Sequence, residues 1–554
     1  MGEQARAARE FADRYWEQLL ELDPLLATEV GDERFDDRLP DPTDEGVERE
    51  RRVHEAALEE LGRLEEDGLP EDLRTALAVG RAIAEQALDR IRFRMDRLHA
   101  VSHLWGPAGL LGDLASVQRA DTPERLERYL RRLSALPGYL EAVGRVALDG
   151  ARLGQTAPAL VVDRAIAQVE RLLATPPEAS PGVQPVPETD ARGRQRVVEV
   201  LREAVWPAYE GYLEVLRDYR PHARETVGLS ALPDGEAMYA ALVRAYTTLP
   251  LAPEEVHRLG QEDLAGIQEE RRALARALGG EDPDRVMAEH RASGRDTART
   301  REELLERARR QVRRSWEAAP RFFGRLPRAN CEVRPVEAFR EEDMPGAYYV
   351  PPTHDGSRPG VYYVNTSHLD ARPLHQLAAT TYHEANPGHH FQLSIEVEFS
   401  DRPPLRRFGG FLSGTAFIEG WGLYSERLAD EMGLFEDDCE RMGMLEAQAW
   451  RAARLVVDTG LHAFGWDRER AVATLEGAGV PRKDAEVEVD RYIAAPGQAL
   501  AYKVGQLHIL KLRRAAEERA GPSFSLRAFH DRLLALGSLP LPVLERELGL
   551  TGAG

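Results

Sequence analysis

Apolar residues recur at spacings of three and four through most of the first 319 positions, the period of a helix that buries one face. Phe11, Tyr15, Leu19 and Leu20 form one such stripe, and Val53, Ala57, Leu61 and Leu64 form another. Between them stand Arg, Glu and Ala, which favour the helix. Pro, Gly and Asp punctuate the pattern, as at Leu39-Pro40-Asp41-Pro42 and Thr175-Pro176-Pro177, and residues 174–193 make the longest predicted loop. No internal repeat of fixed period is present. After Leu326 the pattern changes. Segments 331–336, 347–350 and 360–365 are short, rich in Val and Tyr, and separated by turn clusters, so they are predicted strands. Helical spacing returns with Leu374, Leu377, Ala378 and Thr381, with Pro373 in the first turn. It then continues to the C-terminus. The expected fold is mainly α, with one small β-sheet next to the helix that starts near Pro373. The change of pattern separates a helical region, 1–326, from a second region, 327–554, the two packed as one integrated domain.

Composition narrows the class. The chain has 554 residues, 43% hydrophobic and 30% charged, enough for a large core in a globular protein. Its formal net charge of -21 is opposite to the basic surface that non-specific nucleic-acid binding requires. The two cysteines, Cys331 and Cys439, rule out a disulfide framework and a Cys-rich zinc site. No window approaches twenty apolar residues, and Met1-Gly2-Glu3-Gln4-Ala5-Arg6 leads into a charged amphipathic stretch. The expected location is cytoplasmic, with neither nucleic acid nor membrane as a partner.

The chemistry concentrates in Thr381-Tyr382-His383-Glu384-Ala385-Asn386-Pro387-Gly388-His389-His390. It opens like the zinc-protease motif, in which two histidines one helical turn apart hold the metal and the intervening Glu works on water. Here the next histidines come six and seven residues after the first. On an unbroken helix six residues rotate by about 600°, turning His389 away from His383, and seven residues leave roughly 10 Å of rise before His390. Pro387 and Gly388 offer a remedy, since proline breaks the helical bonding and glycine accepts unusual backbone angles. A bulge there returns His389 to the side of His383. The alternative is a helix that ends at Ala385, followed by a turn with two ordinary histidines.

A metal needs a third ligand. Glu419 is an acid in an apolar run between Phe417, Ile418 and Trp421, where an unpaired carboxylate is costly. Its alternative is a buried ion pair with an arginine. Glu426, two turns on, is the reserve ligand, followed by the solvated composition Arg427-Leu428-Ala429-Asp430-Glu431. Glu384, directly after His383, is the expected general base. Downstream, Asp490-Arg491-Tyr492 and Gln498-Ala499-Leu500-Ala501-Tyr502-Lys503 flank a Pro-Gly turn. Tyr502 there is either an oxyanion donor or a packing aromatic. Arg491, Tyr492, Gln498 and Lys503 are expected to support the site. Arg454, Asp458 and His462 share one helical face as a polar relay or a structural network.

Together these residues resemble the bacterial family known as domain of unknown function 885. The resemblance is carried by His383, Glu384, Pro387, Gly388, His389, His390 and Gln392, by Glu419-Gly420-Trp421, by Val457-Asp458-Thr459-Gly460 and by the 498–503 segment. Asp23-Pro24, Gly31-Asp32 and Arg34-Phe35-Asp36-Asp37 extend it to the N-terminus. It implies a helical zincin-like fold, distantly similar to thimet-type oligopeptidases and Taq-type carboxypeptidases. Aligned on Gly-His, the chain carries a two-residue insertion. The resemblance then implies His389 as second ligand, with His390 in reserve or facing substrate, Glu419 as third, and Tyr502 as the transition-state tyrosine. The expected function is that of a zinc-dependent hydrolase, a peptidase on short peptides with one Zn2+ per chain. Its rivals are an inactive zincin-derived binding protein and a metal-dependent amidase on a non-peptide substrate.

Overall fold

The computed structural model describes residues 2–336, 341, 344–353 and 358–550. Helices run from Glu3–Leu22 to Leu541–Glu547, and the described strands form one three-stranded sheet. The fold is therefore mainly α. Phe11, Tyr15, Leu19 and Leu20 are all buried on the first helix. The second stripe is shorter than its spacing predicts. That helix ends at Leu61 with Gly62 at its cap, and Leu64 packs on the core from the following loop. Glycine's low helix propensity accounts for the stop.

The strands are β1 (Cys331–Pro335), β2 (Ala347–Val350) and β3 (Gly360–Val364), in the order β1-β3-β2. β1 pairs parallel to β3, Cys331 opposite Gly360, and β2 pairs antiparallel, Ala347 opposite Val364. Part of the predicted turn between β2 and β3, residues 354–357, lies outside the described residues. β3 stops at Val364 because the Asn365 side chain turns back to the carbonyls of Glu341 and Met344. The sheet meets the Leu374–Glu384 helix, where Tyr362 Oη lies 3.2 Å from Thr381 Oγ1. Pro373 stands at the extended cap of that helix, before its first turn. No helix among the described residues is long and apolar enough to cross a membrane.

Two large hydrophobic cores meet along one helix, Asp438–His462. Met444, Leu445, Ala449 and Leu455 enter a core that also holds Phe11, Tyr382, Trp421 and Leu500. Ala453, Val457 and Leu461, on another face, join Leu133, Tyr212 and Tyr492 in the second. A helix buried on most of its circumference holds its polar residues in place, which matters for the groups it carries beside the site.

Candidate metal centre

The first histidine helix, Leu374–Glu384, stops one residue after His383. Ala385 leaves helical geometry (φ -99°, ψ -117°), the Asn386–Pro387 peptide is cis, and a second helix runs from His389 to Val397. The chain thus breaks, as in the plainer of the two expectations. Yet the new axis sets the His383 and His389 rings 4.7 Å apart between centroids, their planes at 88°. The rotation that separates positions six apart applies only to a continuous helix. Gly388 has no room for a side chain, since a Cβ would lie 1.9 Å from the His383 carbonyl oxygen. Trp421 Nε1 donates to the Pro387 carbonyl at 3.0 Å and Ser425 Oγ donates to it at 3.3 Å, which fixes the turn from below.

Trp421 and Ser425 belong to the Thr415–Glu431 helix, which also carries Glu419. Glu419 Oε2 lies 3.7 Å from His383 Nε2 and 3.5 Å from His389 Nε2. One ligand atom from each of the three residues falls within 4.8 Å of the others. Two atoms bound to zinc at about 2.0–2.1 Å and at the tetrahedral angle lie roughly 3.4 Å apart. The observed spacings are close to that, and longer than direct hydrogen bonds. His389 is buried, and its Nδ1 has no hydrogen-bond partner among the described residues. The donor set of two imidazoles and one carboxylate therefore fits zinc in kind and spacing. Glu419 is 20% exposed, the two histidines less, so the cluster opens to solvent on the Glu419 side.

Two glycine contacts create this geometry. A Cβ on Gly422 would sit 2.8 Å from His383 Nε2 and 3.0 Å from His389 Cε1, so the imidazoles rest directly on bare backbone. Two residues earlier on the same helix, Gly420 meets Gly505 of the Leu500–Ala520 helix, and a Cβ on Gly505 would lie 1.8 Å from the Ala416 carbonyl oxygen. That close crossing brings Tyr502 to the side of Glu419.

Charge is balanced within the cluster. Burial opposes protonation of His383, but the carboxylates of Glu419 and Glu426 beside it carry its pKa up to about 9. Burial likewise opposes ionisation of Glu419, and the two histidines outweigh it, holding the carboxyl well below its usual range.

Glu426 is not solvated, as its flanking sequence predicted, and it is not placed as a ligand. It is buried, with Oε1 2.9 Å from His383 Nδ1 and Oε2 accepting from Gln448 Nε2 at 2.8 Å. The Asp438–His462 helix, packed over it, supplies Gln448 and excludes water. In neutral His383 this pattern fixes the tautomer, with Nδ1–H on the carboxylate and Nε2 left unprotonated on the Glu419 side. Gln448 Oε1 in turn accepts from Lys503 Nζ at 2.9 Å, and Lys503 also pairs with Asp263 at 3.0 Å. Burial lowers the Lys503 pKa. His390 points the other way. Its Nε2 donates to the Ala329 carbonyl at 3.1 Å and its Nδ1 lies 2.9 Å from Tyr349 Oη on β2. It ties the second histidine helix to the sheet, and burial lowers its pKa to about 4. Glu384 is half-buried at the end of the first histidine helix, next to His383.

Tyr502 sits under a guanidinium, Arg454 Cζ lying 4.5 Å from its ring centre. Burial and the nearby Glu419 raise its pKa, while Arg454, Arg491 and a hydrogen bond with Gln498 hold it down. Gln498 accepts from Arg491 Nη1 at 2.5 Å. Glu488 binds Arg491 at 2.9 Å, Arg454 at 3.1 Å and the Tyr492 hydroxyl at 2.6 Å. Glu488 gave no signal in its charged segment. Gln448 was findable as an amide in the otherwise apolar run Ala447-Gln448-Ala449-Trp450.

Arg454, Asp458 and His462 do not form a relay. Arg454 holds Tyr492 and Glu488. Asp458 accepts from Tyr239 Oη at 2.6 Å and from the Gly497 amide at 3.0 Å. His462 donates from Nε2 to the Tyr492 carbonyl at 3.0 Å and accepts from the Leu229 amide at 3.3 Å. Arg454 and His462 both hold Tyr492, at its hydroxyl and its carbonyl, while Asp458 holds the 495–499 turn at Gly497.

Over residues 24–548 the chain matches the family described as "Bacterial protein of unknown function (DUF885)", and it belongs to that family. It is similar to a solved structure described as a "putative lipoprotein" from Colwellia psychrerythraea, at 26% identity and a TM-score of 0.91, with 99% of each chain covered. A structure described as a "putative lipoprotein of unknown function" from Shewanella oneidensis shares the fold at 19% identity and a TM-score of 0.76, covering 97% of this chain and 98% of that one. No curated protein matches the chain.

Proposed function

We propose that this protein is a zincin-like, zinc-dependent hydrolase that cleaves amide bonds in short peptides. The observation that carries the reading is the convergence of His383, His389 and Glu419 across a helix break, with the second nitrogen of His383 on a buried carboxylate. Three protein ligands with one open side are the arrangement of catalytic zinc sites. When bound there, zinc supplies Lewis acidity and brings the pKa of water towards neutrality. Glu384 takes a proton from the attacking water and delivers it to the leaving amine. Tyr502 donates a hydrogen bond to the carbonyl oxygen as negative charge builds on it. Arg454 and Gln498 hold that phenol in position. The descriptions of the two similar structures favour a location in the cell envelope over the cytoplasm.

The test is elemental analysis of protein purified without an affinity metal, followed by assays on a short-peptide library. About one zinc per chain is expected, with hydrolysis lost to a chelator and restored by zinc. Protein that holds no stoichiometric transition metal, even after incubation with zinc, would sink the proposal.

A further inference from the structure

Beside Tyr502 stand two guanidiniums that share one carboxylate. A single oxygen of Glu488, Oε2, accepts from Arg454 Nη2 at 3.1 Å, from Arg491 Nη2 at 2.9 Å and from the Tyr492 hydroxyl at 2.6 Å. Burial opposes ionisation of Glu488, but Arg454 and Arg491 outweigh it and hold its pKa down to about 2. The group therefore carries one surplus positive charge. The carboxyls around it are engaged elsewhere. Asp490, next to Arg491 in the chain, binds Arg164 and Arg468, the latter at 2.6 Å. Asp458 accepts from Tyr239 and Gly497, and burial raises its pKa to about 7. Asp484, one turn before Glu488, is exposed and lies near Lys483 and Arg372. Glu419 lies between the two histidines.

The two arginines differ in access. Arg454 is buried against the Tyr502 ring, and its Nη1 has no hydrogen-bond partner among the described residues. Arg491 keeps 26% of its side chain in solvent. Its Nη1 and Nη2 bond Gln498 and Glu488, which leaves part of a five-donor fork unused. Gln498 joins this fork to the metal side, since its amide bonds Arg491 at 2.5 Å and also bonds Tyr502. Glu419, Tyr502, Gln498 and Arg491 are all partly exposed, while Arg454 and Tyr492 behind them are buried. An accessible line of polar groups thus leads from the open side of the histidine cluster to a cation. The step from the phenol to the guanidinium is two hydrogen bonds and one amide, on the order of two extended residues at about 3.3–3.6 Å each.

We propose that this group is a subsite for a carboxylate of the substrate, gripped by the Arg491 fork with the Arg454 charge behind it. The inference rests on the hydrolase reading and narrows it to peptides that bear a free carboxylate within about two residues of the scissile bond. That carboxylate is the end of the peptide or an acidic side chain, and both present the same pair of oxygens to a planar guanidinium. Binding it balances the surplus charge and fixes the peptide relative to Tyr502, which is the positioning that hydrolysis requires.

The test compares three peptide sets on the full chain supplied with zinc. One is a tetrapeptide library lacking Asp and Glu, with free C-terminal carboxylates. The second is the same library as C-terminal amides, and the third is those amides with one Glu at each position in turn. Mass spectrometry reads cleavage, and calorimetry on E384Q reads binding of tetra-alanine, its amide and the Glu-bearing amides. At least one carboxylate-bearing set is expected to exceed the plain amides by about tenfold or more in kcat/KM and in affinity. A free-acid preference places the carboxylate at the peptide's end, and a Glu preference places it on a side chain. R491M should bring the ratio of the preferred set to the plain amides close to one. R491K should restore only part of it, because the charge returns without the fork. Glu488 keeps Arg454 and the Tyr492 hydroxyl in R491M, and a thermal melt with zinc content checks that the variant is folded. Plain amides cleaved as fast as both other sets overturn the subsite and leave the hydrolase standing. An unchanged ratio in folded R491M overturns the assignment to Arg491. Cleavage of no set defeats the hydrolase reading, and the calorimetry then decides the subsite alone, where equal or undetectable binding of the carboxylate-bearing peptides and the plain amide overturns it.

Discussion

His389 and His390 are neighbours with opposite surroundings, and their substitution separates metal binding from architecture. His389 faces Glu419, whereas His390 spends both nitrogens on Ala329 and Tyr349. H389A is expected to abolish zinc binding. H390A is expected to retain zinc and to cost about 1–3 kcal/mol of stability, because it leaves buried partners unsatisfied. Zinc content and urea unfolding read the two effects, and zinc loss in H390A alone would reverse the assignment. E384Q keeps the shape and removes the base, so it should bind zinc and lose about 10²–10⁴ in rate. Y502F should lower kcat more than it raises KM, since the proposed contact would form in the transition state. At this scale the sequence marked the residue types that meet in the cluster but not which way they face. Glu426 is the clear case. The charged residues after it read as a solvated helix, and only the packing of the Asp438–His462 helix turns that position inward.

Local spacing marked most elements, including the three strands and the break at Pro387, because Val, Tyr, Pro and Gly act over a few residues. What a break does to two histidines depends on the axis of the next helix. That axis is set by Trp421 and Ser425, over thirty residues away, and no local pattern carries it. The glycines had the same ambiguity, since Gly420, Gly422 and Gly505 sit inside helices where propensity disfavours them. Their reason appears only where another backbone or ring touches them. G422A tests that reading. Its Cβ would press on both imidazoles at 2.8–3.0 Å and displace them. We expect zinc affinity to fall by about tenfold or more, with an overpacking cost of about 1–3 kcal/mol. A competitive-chelator titration beside a thermal melt checks this. Unchanged zinc affinity would show that the histidines are not seated on this backbone.

At the scale of the whole molecule, the start of the first histidine helix is pinned to two distant segments through one residue. His375 Nδ1 lies 2.7 Å from Asp296 and its Nε2 lies 2.8 Å from Glu446 on the Asp438–His462 helix. Asp296 also caps the helix, accepting the His375 amide at 2.8 Å. Burial opposes a charge on His375, but the two carboxylates outweigh it and raise its pKa to about 9. An unfolded histidine titrates near 6.5, so between about 6.5 and 9 the folded chain holds a proton that the unfolded chain has released. The stabilisation is therefore complete below pH ~6.5 and is lost as pH rises through about 9, on the order of 3 kcal/mol in all. On the proposed function, zinc-loaded protein is the right sample, because a metal held by His383 would keep it unprotonated and remove its parallel titration from the same window. Urea unfolding between pH 6 and 9.5 should show this loss in the wild type and a much flatter profile in H375Q, whatever the variant's absolute stability. Matching slopes in the two proteins would mean that the charged bridge does not hold the helix to the rest of the fold.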